Sequence, residues 1–137
     1  MTNKLGPIAL VAATCLSAPA AAQSGIALYE DNCAACHGGY EMGDDRVAPP
    51  IFAVQGHYLS AYPDKTTFTK AIVAWAKDPS LARARMPGAI RRFGLMPAVE
   101  LSDEDAAKIA EFIYDGQFDR PGWYADHYRQ EHGKAPK

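Results

Sequence analysis

What is scarce in this chain narrows it first. Its 137 residues hold three cysteines, Cys15, Cys33 and Cys36, too few for a disulfide-stapled scaffold. No stretch alternates apolar and polar residues convincingly at period two, so no β-sheet is predicted and the expected class is all-α. There is no basic excess: 14 Lys and Arg stand against 16 Asp and Glu, a net charge of -2. Phosphate binding needs a basic face, so nucleic acid is not expected as a partner. Pro7, Thr14, Ser17 and Pro19 interrupt the most apolar segment. It therefore falls short of the roughly 20 apolar residues of a membrane-spanning helix, and no stable membrane anchor is expected. Repeats and low-complexity tracts are also missing from the sequence. With 48% hydrophobic and 22% charged residues, the balance is that of one ordinary globular domain.

The segment at residues 1–22 reads as a secretory leader. Lys4 supplies a positive start, Leu5 to Leu16 an apolar run, and Ala20-Ala21-Ala22 a small-residue cleavage pattern. Cleavage after Ala22 removes Lys4 and Cys15, leaving 13 basic and 16 acidic residues, a net charge of -3 (13 − 16). The expected organisation is a leader at 1–22, a globular domain at 23–117 and an aromatic C-terminal extension at 118–137.

Helices are predicted from caps and apolar spacing. Gly25 to Cys33 forms a short one, with Ile26, Tyr29 and Cys33 on one face and Gly38-Gly39 as the stop. Residues 38–63, rich in Gly and Pro, read as irregular loop. Asp64 or Thr66 caps a second helix reaching about Lys77, with Phe68, Ala71, Ile72 and Trp75 at helical spacing. Residues 80–92 hold a further short helix broken by Pro87-Gly88. Ser102 caps the clearest helix, with Asp105 three residues on, acids in the first turn, and Ala106, Ile109, Phe112 and Ile113 as its buried stripe. The end of the chain, Gly133 to Lys137, is expected to be disordered.

The chemistry is concentrated in Cys33-Ala34-Ala35-Cys36-His37, a C-x-x-C-H run of the kind that attaches haem covalently. Two thiols three apart on a helical turn reach two vinyl groups of one porphyrin. The next residue then stands beneath the iron, where an imidazole can bind it. Small residues between the cysteines let the backbone pass close to the ring. A zinc site wants four Cys or His ligands, and only the scattered His57, His127 and His132 could complete one here. A thioredoxin-like dithiol wants a neighbouring βαβ pattern, and no strand is predicted. The cofactor expected is therefore one haem c with its iron. An exported chain with this motif is expected in the bacterial periplasm.

These residues resemble the class I cytochrome c family, a likeness framing most of residues 25–116. The haem motif is preceded by Gly25–Tyr29, followed about 60 residues later by Met96-Pro97, and closed by Leu101–Ile113, which is similar to the family's last helix. The resemblance implies the cytochrome c fold, with the first and last helices crossing and Gly25 and Tyr29 meeting Ile109, Phe112 and Ile113. It implies that Pro49 or Pro50 offers its carbonyl to the His37 ring. It implies His37 and Met96 as axial iron ligands, hence a one-electron carrier acting between redox partner proteins rather than an enzyme. Met86-Pro87 is a second Met-Pro pair and makes Met86 the runner-up. Met42 stands too near His37 for the usual placement.

Other residues are read more plainly. His57 is taken as a surface or hydrogen-bonded loop histidine, and His127 and His132 as solvated. Phe68, Trp75 and Phe93 are taken as core or haem-pocket packing. Arg83, Arg85, Arg91 and Arg92 form a basic cluster, read either as a solvated face or as a contact for haem propionates or for docking. Trp123, Tyr124 and Tyr128 are expected to pack back on the domain rather than to form an interface. Two other functions stay open from sequence: a haem enzyme or gas sensor with an open sixth site, and a dedicated haem subunit of a periplasmic oxidoreductase.

Overall fold

The computed structural model describes residues 22–39 and 45–136. The expected leader, apart from Ala22, and Met42 lie outside the described residues. Among the described residues there are seven helices and no strand: α1 Gly25–Asn32, α2 Ala34–His37, α3 Ile51–Ala61, α4 Lys65–Lys77, α5 Pro87–Phe93, α6 Asp103–Asp115 and α7 Gly122–His132. The all-α class is as expected. No described helix is long and apolar enough to cross a membrane.

Local chemistry sets the helix starts. Ser24 accepts from the Ala27 amide at the head of α1, Asp64 from Thr67 at the head of α4, and Ser102 from Asp105 at the head of α6. Each bond satisfies one otherwise orphaned amide of a first turn. Pro87 opens α5 instead of breaking it, because a first helical residue needs no amide hydrogen and proline's φ is already helical.

The main core joins Leu28 and Tyr29 of α1, Ile51 and Tyr58 of α3, Phe68 and Ile72 of α4, and Ile109, Ala110 and Ile113 of α6. The packing of α1 on α6 is close: a Cβ at Gly25 would overlap the Lys108 carbonyl oxygen and stand 3.1 Å from Phe112 Cβ. Tyr29 and Phe112 meet at 5.2 Å between ring centroids.

Two stretches differ from the sequence expectation. Residues 51–61, read as loop, are helix α3, and most of it is buried, His57 included. Gln55 anchors it: its side-chain amide donates to the Ile113 and Gly116 carbonyls, both at 2.8 Å. The C-terminal extension, assigned no element from sequence, folds into α7. Tyr124 and Tyr128, each 1% exposed, form with Phe52 and Ala53 a second small core. The expectation that these aromatics pack back on the domain is met.

Candidate functional site: an apolar cavity between two thiols, a histidine and two methionines

The first wall of the site grows from the end of α1. Cys33 caps that helix through its amide to the Tyr29 carbonyl at 2.8 Å, and α2 begins at once. The single turn of α2 carries Cys36 and His37, so both sulfurs and the imidazole line one cavity. Cys33 is partly buried, Cys36 is exposed, and the two are not joined to each other. Burial, and then the neighbouring Cys36, push the Cys33 thiol pKa up.

His37 is oriented by the start of α3. Its Nδ1 lies 2.7 Å from the Pro49 carbonyl oxygen. A carbonyl only accepts, so Nδ1 carries the hydrogen, and the lone pair resides on Nε2. Burial lowers the imidazole pKa, opposed in part by the Pro49 bond. Burial thus favours the neutral ring, the form that binds a metal. Pro49 is the one of the two expected prolines that makes this contact.

The cavity has a volume of about 390 Å³. Its walls come from α3 (Ile51, Val54, Tyr58), α4 (Ile72, Trp75), α5 and α6 (Ala106, Ile109, Ile113). Met86, at the start of α5, and Met96, three residues beyond its end, both line it. Gly94 turns the chain out of α5 at φ 79° and ψ -175°, a conformation that is essentially glycine-only. The Val99 amide then bonds the Ala76 carbonyl at 2.8 Å, tying the Met96 loop to α4. The two methionines differ in company. Met86 also packs against the second core, whereas Met96 belongs to neither core cluster.

The arginines predicted as one cluster separate. Arg83 pairs with Asp78, while Arg85 lines the cavity and donates through Nε to the Tyr62 hydroxyl at 2.8 Å. Arg91 and Arg92 are exposed on α5. Phe68 is core, and Trp75 and Phe93 line the cavity. His57 is not a surface residue: it is 7% exposed, and its Nδ1 lies 3.1 Å from Nε2 of His132, which is correspondingly not simply solvated. Sequence reasoning missed Tyr58 and Val54 of the cavity because the segment carrying them was read as loop. The unbroken apolar run Ile51–Val54 was the available signal.

These features suit a flat, largely apolar ring with a metal at its centre. The donor set has two sulfurs at thioether spacing and one imidazole nitrogen with its lone pair free. Thioether sulfurs stand on the same cavity, and one guanidinium is available for a carboxylate. The class defined is an all-helical protein for a covalently held haem. The chain belongs to the cytochrome c family, whose Cytochrome c family model matches residues 22–117. Its cofactor is accordingly haem c, attached covalently and carrying iron, and it is a haem-binding electron-transfer protein. No curated protein and no solved structure matched the chain in the same comparisons. Helix α7 lies beyond the matched residues.

Proposed function

We propose that the protein is a periplasmic one-electron carrier, with Cys33 and Cys36 as the haem attachment points and His37 and Met96 as axial iron ligands. The observation that carries this reading is that all four side chains line one apolar cavity, with His37 already turned by Pro49 so that its lone pair is free. When bound, the haem supplies a reversible ferric/ferrous couple. The Pro49 bond fixes the imidazole and makes it a stronger donor. The Met96 thioether is a soft ligand and favours the ferrous state, raising the potential. The packing of Met86 against the second core favours Met96 over it. Arg85, held by Tyr62, gives the cavity wall a positive charge for a haem carboxylate. Arg91 and Arg92, exposed beside the cavity, suit docking of an acidic redox partner protein.

The test is the oxidised protein's optical spectrum through the far red, where sulfur-to-iron charge transfer gives a weak band. It is recorded for wild type, Met96→Ala and Met86→Ala. The band is expected in wild type and Met86→Ala and lost in Met96→Ala. A wild type without the band, high-spin and quick to bind carbon monoxide when ferrous, would instead make this a haem enzyme or sensor with an open sixth site.

A further inference from the structure

Helix α7 meets α3 through groups that the haem site does not use. His57 of α3 has Nδ1 3.1 Å from His132 Nε2 and Nε2 3.7 Å from Glu131 Oε2. The same Glu131 oxygen lies 3.9 Å from His132 Nε2 and 3.5 Å from His127 Nε2. One ligand atom from each of His57, Glu131 and His132 falls within 4.8 Å of the others. A tetrahedral zinc ion with ligands at 2.0–2.2 Å needs its donor atoms roughly 3.3–3.6 Å apart, and the three ligand atoms, all within 4.8 Å of one another, are near enough for side-chain adjustment to close the set. Two imidazoles and a carboxylate suit zinc and its neighbours among the transition ions, whereas calcium and magnesium prefer oxygen alone.

The surroundings favour a held geometry over a chance meeting of surface chains. His57 is fixed in a helix and buried, and the Tyr128 ring packs, tilted, against both His57 and His132, at 5.3 and 4.3 Å between centroids. Glu131 and His132 keep 37% and 31% of their side chains exposed, which leaves an entry path from solvent. His127 and Glu131 are four apart on α7 and so share a face. A single hydrogen bond between His57 and His132 would suffice to fasten α7. It would not require the Glu131 carboxylate to approach both rings as well.

We propose that His57, Glu131 and His132 form a second metal site, separate from the haem, that binds one divalent zinc-class ion, with water completing the ligand set. The ion would cross-link α7 to α3 and hold the second core closed. The proposal does not depend on the axial ligands of the haem or on the carrier function.

The test uses the full chain loaded with haem, so that His37 is engaged, and Zn²⁺ alone as the probe. Zinc uptake is measured by competition with a chromophoric chelator, together with the thermal unfolding midpoint and the Soret spectrum. The expected result is one equivalent of saturable uptake, a rise of several degrees in the midpoint and an unchanged Soret band. Glu131→Gln, which keeps the shape of an exposed side chain, and His132→Ala are each expected to weaken zinc affinity at least about tenfold, as loss of a ligand group should. No saturable uptake up to about 1 mM zinc, or uptake that both variants leave unchanged, would overturn the proposal.

Discussion

The Cα of Gly25 faces the carbonyl oxygen of Lys108 so closely that a single added methyl would overlap it. This contact sets how near α1 can come to α6, and so where Cys33, at the end of α1, is delivered to the cavity. Alanine favours a helix over glycine by up to about 1 kcal/mol, but the obstacle here is backbone, which cannot swing aside. Gly25→Ala is therefore expected to be net destabilising by about 1–3 kcal/mol, the usual cost of overpacking. Thermal unfolding of the holoprotein should show a fall of several degrees, and a midpoint at or above wild type would refute the close-approach role.

Gly94 is the hinge of the Met96 loop. Its φ of 79° with ψ of -175° strains any other residue by about 1–3 kcal/mol. On the proposed His37/Met96 ligation, Gly94→Ala should loosen the thioether. Exogenous imidazole should then bind the ferric protein about 5- to 150-fold more tightly, the equivalent of that strain. Unchanged imidazole affinity, followed by optical titration, would count against Met96 as the ligand.

The hydroxyl of Tyr124 is buried against Gly56 and has no hydrogen-bond partner among the described residues. An unsatisfied buried polar group costs about 1–3 kcal/mol. Tyr124→Phe is expected to raise stability by about 1 kcal/mol after allowance for the small void left behind. Tyr124→Ala should lower it by roughly 3 kcal/mol or more, by comparison with other buried aromatics. Denaturant unfolding of the two variants side by side decides whether α7 is core or appendage.

Asp64 caps α4 by accepting from the Thr67 amide and hydroxyl, and these bonds hold its carboxyl pKa below the ordinary 3.8. Its contribution is therefore fully present above 3.8 and is lost as pH falls through the lower folded value. Asp64→Asn keeps an acceptor at the cap but no longer titrates. The stability gap between the two proteins should narrow as pH drops below 3.8, and acid titrations of both, read by helical circular dichroism, check this.

Helix α3 marks where the sequence stopped being legible. Pro49-Pro50 before it and Gly56 within it argue for loop in isolation. In the fold, Pro50 stands at the cap, where no amide is needed, and Gly56 is required because the Tyr124 hydroxyl occupies the space of a Cβ. The partner that makes Gly56 necessary is 68 residues away in sequence (124 − 56), and no local rule can see it. A similar separation, 75 residues, hid the meeting of His57 with His132.

Short-range chemistry was readable in the sequence by itself: the C-x-x-C-H turn, the caps at Ser102 and Asp64, and the apolar stripes of α4 and α6. These depend on spacing along one helix, which the chain dictates without help. Choosing between neighbours of the same kind needed tertiary structure. Packing assigned Pro49 rather than Pro50 to His37, separated Arg85 from Arg83, and gave Met86 a second set of contacts that Met96 lacks. Residues of one type look alike in sequence, and only the surfaces they are folded against make them different.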